Sequence, residues 1–553
     1  MSKYISIILV SIILAGCGRG VPYTPDEWVK CNGDPAPKSQ GDKIANASLL
    51  ISSLGLIGKM PEEARPHYRK QGAEGVAACT QALNSGIFDG GKHWVSHTNV
   101  LKARAIHHLK DNNPDAALID LAAIKPVAGK HANNLFYQRS LGLAIIFLEG
   151  LAHQAKGDQI AANRAFKKFS DSRPYSRNVQ TMAWPHLTEE RVKIMSRLVK
   201  QDASFVYGHA TLLNREKGNE QQAADHWAQL VKGGYNRKST SRSMSAHNNV
   251  EIEQGNTQAD AMTLGQAALA AARVNRMDQA HEWINQAKTS LVGSVKQKET
   301  KADIMRRLRR GSSKSDENMV MLLEVLVNAY GQYHNGNIDG ARHTMTSQGG
   351  SFPVMAAAIE LIEKLQENLP TEQREGVLKL DVAPIWAKLR ANSITLKADR
   401  DFYGSLFRRL PTLETKGNVN SYSGKVWFFK DNGFSEEKRK DGSYLIKFTG
   451  STSSRSIVEE MSILRAADLA KKASKSGFII LKLNNYTRTR YTTYNGISTG
   501  PGTFAGYMTS IKVVFVDPDN LPEKWSFHKG RIYNANQVWN DLSPIYVKSK
   551  NKS

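Results

Sequence analysis

The chain is 553 residues long, 41% hydrophobic and 23% charged, with 75 Lys and Arg against 51 Asp and Glu for a formal net charge of +24. That length rules out a lone small domain and holds two or more domains with sizeable cores. The positive balance draws the chain towards polyanions but says nothing of its fold.

Residues 1–20 read MSKYISIILVSIILAGCGRG, with Lys3 ahead of an apolar run from Ile5 to Leu14 that is too short to span a bilayer comfortably. This is the pattern of a secretory signal. Leu14-Ala15-Gly16-Cys17 resembles the lipobox of bacterial lipoproteins, and the resemblance implies cleavage before Cys17 and a diacylglyceryl group on its thiol. Several acyl chains, as on mature bacterial lipoproteins, anchor durably where a single one binds only marginally. Gly18 in place of Asp implies the outer membrane by the sorting rule of enteric bacteria. A chain exported in this way rarely meets chromosomal DNA. The polyanions to expect are lipopolysaccharide, acidic glycans, cell-wall polymers or acidic proteins, with nucleic acid a last resort.

With Cys17 committed to lipid, Cys31 and Cys79 are left as an even pair in an oxidising compartment. A disulfide between them is the natural reading, with two buried free thiols as the alternative. The bridge would staple the Pro-rich leader to the first helical segment, a loop worth about 4 kcal/mol in the chain-entropy model.

From about residue 68 to 370 the sequence predicts helix after helix, with Ala, Leu and long polar residues at helical spacing. A signature recurs in which a Gly or Asn is followed five residues later by Ala. It stands at Asn112/Ala117, Gly157/Ala162, Gly218/Ala223, Asn275/Ala280 and Gly336/Ala341. These resemble the turn and second helix of tetratricopeptide-type repeats, in which the first residue takes a left-handed cap and the Ala lets two helices approach closely. The spacing exceeds that of a standard repeat, so extra helices must fill the gaps; a non-repetitive bundle is the alternative. Leu141 to Leu148 is predicted to be a buried core helix. Gly233 to Asp260 reads as a loop, and the Arg306, Arg307, Arg309 and Arg310 cluster as a solvated helix end or loop, or as a docking patch for acidic surfaces or lipid head groups.

Beyond Pro370 a helical connector runs to about residue 417, and then the pattern changes class. GKVWFFK, SYLIKF, GFIILKL and SIKVVFV are short β-rich runs, with one amphipathic helix whose Ile457, Met461, Leu464 and Ala467 share a face. The expected fold is therefore mainly α: a TPR-like α-solenoid followed by a small α+β domain with a mostly antiparallel sheet. The expected boundaries are 1–16 signal, 17–67 anchor and leader, 68–370 helical repeats, 371–417 connector and 418–553 α+β domain.

The last third carries a second resemblance. GFSEEKRKDGSYLIKFTG (Gly433 to Gly450), LRAADLA (Leu464 to Ala470), SGFIILKL (Ser476 to Leu483) and RIYNANQVWNDL resemble a small domain of uncharacterised bacterial lipoproteins, with Phe434 and Asp468 as mild departures from its motifs. The resemblance covers about 110 residues and implies an envelope location; it transfers no catalytic residue. Arg465 is placed to pair with Glu436 and pin the helix to the sheet.

No constellation has the specificity of an enzyme signature. His93 and His97 share a helix face but lack a third metal ligand, and His107 and His108 point apart. GISTGPGTFAGY (Gly496 to Tyr507) lacks the Lys-Ser/Thr ending and following helix of a phosphate loop. In NNYTRTRYTTYNG, Tyr486, Arg488 and Arg490 lie on one side of a predicted strand, an aromatic-cation pattern suited to sugars or anions and equally to a strand edge protected by charge. The expectation is a non-enzymatic, lipid-anchored scaffold, free of metal and cofactor, that binds envelope proteins or peptides. Binding of anionic glycan or lipopolysaccharide is the alternative, and an envelope enzyme of unrecognised type the third reading.

Overall fold

The computed structural model describes residues 26–37, 66–88, 93–187, 190–215, 218–232, 259–295, 312–346, 356–367, 402–414, 422–424, 432–490, 493–494, 497–498 and 503–547. Cys17, the Arg306–Arg310 cluster and the GKVWFFK run beyond Gly424 lie outside these residues. The architecture is mainly α with a small α+β portion near the C-terminus, built on an antiparallel sheet. The chain divides into two compact units, Met1–Ala165 with Ala398–Leu413, and Phe166–Lys397 with Glu414–Ser553.

The first unit holds α1 (Glu27–Asn32), α2 (Ala73–Leu83), α3 (Trp94–Lys110), α4 (Pro114–Ala128), α5 (Leu135–Gln138), α6 (Leu141–Ala155) and the start of α7 (Gln159–Ser172). The Asp26 carboxylate caps α1 by accepting from the Val29 amide at 2.9 Å. A disulfide joins Cys31 of α1 to Cys79 of α2 across 48 residues of sequence, and Trp28, Ala78, Val100 and Ala103 pack around it. His107 Nε2 meets the Cys31 carbonyl at 2.8 Å, and burial holds its pKa down at about 4. Leu135–Ala155 is the stretch long and apolar enough to cross a membrane among the described residues, yet the backbone breaks between α5 and α6, and Leu141, Leu143, Ala144 and Leu148 are fully buried in the core.

The second unit continues with α8 (Arg177–Ala183), α9 (Arg191–Gln201), α10 (Val206–Arg215), α11 (Glu220–Lys232), α12 (Ala261–Arg273), α13 (Met277–Val295), α14 (Ser312–His334), α15 (Ile338–Thr346) and α16 (Ala356–Glu367). Helical hairpins recur in both units with one turn geometry. Asn112, Gly157, Gly218, Asn275 and Gly336 all have left-handed backbones, with φ between 55° and 79°. In four of the turns the residue immediately after the left-handed one donates back to the last turn of the preceding helix, as Asn113 N does to His108 O at 2.8 Å and Arg276 N to Ala271 O at 2.9 Å. Ala117, Ala162, Ala223, Ala280 and Ala341 are completely buried one turn into the second helix. A methyl group there lets the two backbones approach where a larger side chain would separate them.

The sheet of the second unit runs in the order β1 (Gly433–Lys438), β2 (Tyr444–Gly450), β6 (Thr503–Val516), β3 (Gly477–Arg490), β7 (Tyr533–Asn534), all antiparallel, while β4 (Thr493–Tyr494) and β5 (Ile497–Ser498) form a separate ribbon. Helix α17 (Arg455–Lys472) covers this sheet with Ile457, Met461, Leu464 and Ala467, all fully buried, and α18 (Ala535–Tyr546) packs beside it. At the start of β1, Gly433 has φ +98°, and a Cβ there would stand 2.6 Å from the Ser423 carbonyl, so no other residue fits. Arg465 Nε donates to Glu436 at 2.8 Å, and its guanidinium lies 4.5 Å from the centre of the Phe434 ring, joining α17 to β1.

The helices from Phe166 on belong with the sheet in one unit, and a buried ionic cluster ties them. Arg173, at the end of α7, is fully buried and donates to Glu460 of α17 at 2.9 and 3.1 Å and to Glu414 at 3.0 Å; the Tyr546 hydroxyl of α18 donates to the same Glu460. Arg531 is likewise buried, donating to the carbonyls of Val199 in α9 and Ile480 in β3 at 2.8 and 2.6 Å.

Candidate functional site

A cleft of about 450 Å³ opens in the second unit between α8, α17 and β3. Its three walls are fixed by local chemistry. Ser176 caps α8 and Ser454 caps α17, each hydroxyl accepting from the amide three residues on, and Ser176 Oγ meets Ser456 Oγ at 2.8 Å, which holds the two helix starts side by side. Arg177, Asn178 and Thr181 then face the cleft from α8, and Arg455 and Glu459 from α17.

The third wall is Lys482 to Tyr486 of β3, five residues in succession. Side chains alternate between the faces of a strand, so one face would supply only every second residue; a continuous run means that the strand presents its edge. The pairing agrees. β6 lies along one side of β3 throughout, whereas β7 pairs only with Gly477 and Phe478 on the other. Arg531 covers the Ile480 carbonyl, a bulge follows between Ile480 and Lys482, and from there to the end of β3 no strand flanks the second edge among the described residues.

Glu459 lies at the floor, 1% exposed, and links the other two walls: its carboxylate accepts from Asn485 Nδ2 of β3 and from the Arg177 amide of α8 at 3.2 Å. Thr509 Oγ1 donates to Asn485 Oδ1 at 2.6 Å, which fixes the orientation of that amide. Burial pushes the Glu459 carboxyl above its usual range, against the opposing pull of Asn485 and Arg177. Arg177 is paired with Asp202 at 2.8 Å and lies 5.3 Å from the centre of the Phe205 ring. Arg455 lies 5.5 Å from the centre of the Tyr507 ring. Lys482 has no ion-pair partner among the described residues. Three cationic side chains thus face a cleft that holds one carboxylate, and Asn178, Asn484, Asn485 and Thr181 supply uncharged hydrogen-bonding groups.

Of the residues singled out from sequence, Tyr486 lines this cleft with 44% of its surface exposed. Arg488 lies further along β3, half-buried, with Nη1 donating to the Ala505 carbonyl at 3.4 Å. The backbone of Arg490 ends β3, and its side chain lies outside what is described. His93 precedes α3 and His97 stacks on Phe88 with ring centres 4.3 Å apart; no group of three metal-ligating side chains occurs among the described residues. The sequence reading missed Arg177, Arg455, Glu459 and Lys482. The one local signal was Glu459-Glu460, two carboxylates between apolar Val458 and Met461 on a helix that must cover a sheet. No protein-family model, curated protein or solved structure matches the chain.

Proposed function

We propose that the chain is a non-enzymatic lipoprotein of the bacterial cell envelope, tethered through Cys17 at the outer membrane, that recruits negatively charged protein or peptide partners. The observation that carries this reading is the cleft of the second unit, where Arg455 and Lys482 outnumber the single carboxylate of Glu459, the charge of Arg177 being met by Asp202. Cations in a concave, partly desolvated site attract anionic groups more strongly than the same cations on an open face. The helical hairpins support the scaffold role, because TPR-like pairs stack into extended surfaces suited to protein ligands. A second reading, recognition of anionic glycan or lipopolysaccharide, is favoured by the exposed Tyr486 ring beside three carboxamides, a set that stacks on and hydrogen-bonds sugars.

The test is cross-linking in intact cells that carry the full-length, membrane-anchored chain, beside a copy with Arg455→Ala and Lys482→Ala. The expected outcome is a reproducible set of acidic envelope proteins that the double variant loses. Recovery of the same set by both copies, or of none, would overturn the reading.

A further inference from the structure

We propose that His209 of α10, with His226 and Gln229 of α11, forms a binding site for one copper(I) ion. The site lies in the α10–α11 hairpin, shares no residue with the cleft, and does not depend on the recruitment of anionic partners.

The hairpin fixes the two imidazoles against each other. Trp227 Nε1 donates to the Ala210 carbonyl at 3.1 Å, and the Trp227 ring meets Tyr207 edge-on with ring centres 5.3 Å apart. Each His is the chain neighbour of one partner in that hydrogen bond, and the two imidazole ring centres stand 4.9 Å apart with their planes at 76°. Gln229 follows His226 by three residues, so the two share a face of α11. The Glu523–Arg531 segment closes over His226: a Cβ at Gly530 would stand 3.7 Å from its ring, and Arg531 holds the segment down through the Val199 and Ile480 carbonyls.

In this hairpin His209 Nδ1 and Nε2, His226 Nε2 and Gln229 Oε1 are buried and have no hydrogen-bond partner among the described residues. Orphaned buried groups are rare, because each forfeits its hydration, and a cluster of them points to an occupant. The character of the atoms says which. The Val206 carbonyl hydrogen-bonds to the His226 ring, and since Nε2 is unpartnered the ring proton sits on Nδ1. Nε2 is then a bare lone pair, the posture of a metal-ligating imidazole whose other nitrogen is held by a backbone carbonyl. Gln229 Oε1 is also an acceptor, and a neutral His209 keeps one bare nitrogen. Three lone pairs answer a cation, whereas a water molecule has two protons for three acceptors.

Geometry and charge select the ion. An imidazole nitrogen that binds a metal at about 2.0 Å puts its ring centre about 3.2 Å from the ion, so rings 4.9 Å apart subtend about 100° there. That angle suits three ligands or four, and Gln229 supplies the third donor. No carboxylate or thiol joins the pair, because no group of three His, Cys, Asp or Glu side chains occurs among the described residues. All donors are neutral, so the charge of the ion is buried without compensation, at a cost that rises steeply with that charge. Imidazole suits zinc, iron, nickel and copper. Of these, copper has the accessible monovalent ion, and it accepts three ligands. His209 is 4% exposed, but His226 is half-buried and gives the ion a way in.

The experiment uses the full chain, stripped of metal with EDTA and titrated under argon with copper(I) buffered by bathocuproine disulfonate. The expected result is one equivalent of copper withheld from the chelator. X-ray absorption should show a three-coordinate copper(I) bound by two imidazoles and one oxygen. His209→Leu and His226→Leu should each weaken retention by at least about a hundredfold, and Gln229→Leu by about tenfold, while His93→Ala with His97→Ala leaves it unchanged. Circular dichroism checks the fold of each variant, and the absorption spectrum of the unaltered chain decides the ligand set if a variant does not fold. Zinc(II) should bind at least about a hundredfold more weakly than copper(I). No retention of copper would overturn the proposal and leave the orphaned atoms to water. Fewer than two imidazoles on the metal, or retention undiminished in folded His209→Leu, would place the copper elsewhere and overturn it equally. Zinc held as tightly as copper(I) would overturn the choice of a monovalent ion.

Discussion

His209 is 4% exposed, and neither of its ring nitrogens has a hydrogen-bond partner among the described residues; His226, with its own Nε2 unpartnered, lies edge-on to it with ring centres 4.9 Å apart. His528 accepts from the buried Arg531 at 2.8 Å. His209 and His528 are buried and His226 is half-buried, and desolvation depresses their pKa values to about 3, 3 and 4 respectively, with the neighbouring charge of Arg531 adding to the effect at His528. In the unfolded chain each would titrate near 6.5. A folded pKa below the unfolded one means that the unfolded state binds the protons first, so the stabilisation is complete above pH 6.5 and is lost progressively as pH falls through 4 to about 3. The second unit should therefore lose denaturant resistance steadily between pH 6.5 and 4. His209→Leu should move the acid unfolding midpoint downward while leaving stability at pH 7.5 equal or higher. An unchanged acid midpoint in that variant would show that other groups set the acid limit.

At the level of elements, the hairpins place two demands on the sequence that can be separated. The turn needs a residue that tolerates a left-handed backbone, and the second helix needs a small side chain where it crosses the first. Asn275→Gly relieves the first demand and should leave stability within about 0.5 kcal/mol. Ala280→Leu violates the second, at a side chain with no exposed surface, and should cost about 1–3 kcal/mol in chemical denaturation. Equal effects of the two changes would mean that the crossing is looser than the buried Ala indicates. Both features were legible in the sequence because each is set within six residues. The sheet was legible too, from alternating apolar runs, as was the face of α17. The cleft was not. Tyr486 stood out as an aromatic residue among Arg and Thr, but its neighbours come from distant parts of the chain: the Arg177 amide and Glu459 are 282 residues apart. Nor was the partnership of the helices with the sheet visible, since Arg173 and Glu460 are separated by 287 residues and neither carries a local signal for the other. Periodicity reports which face of an element is buried, not against what.

For the molecule as a whole, the two units are held together internally by different means. The second relies on a large apolar core crossed by the Arg173 and Arg531 networks, whereas the amino-terminal end of the first relies on a covalent link. Helix α1 has six residues, too few to be stable alone, and it buries Trp28 in a small cluster centred on the disulfide. Closing a loop of 48 residues restricts the unfolded chain by about 4 kcal/mol in the entropy model, and measured native bridges contribute about 2–5 kcal/mol. Reduction should accordingly release α1 from α2 and free His107 from the Cys31 carbonyl, leaving the sheet untouched. Amide hydrogen exchange at pH 7.5 with and without dithiothreitol would read this directly. Peptides spanning Glu27–Asn32 and Ala73–Leu83 should lose protection by about tenfold or more, while those of β2, β3 and β6 keep theirs. Loss of protection in the strands as well would mean that the bridge supports both units, and the stability of the cleft would then depend on the redox state of a pair of cysteines far from it in sequence.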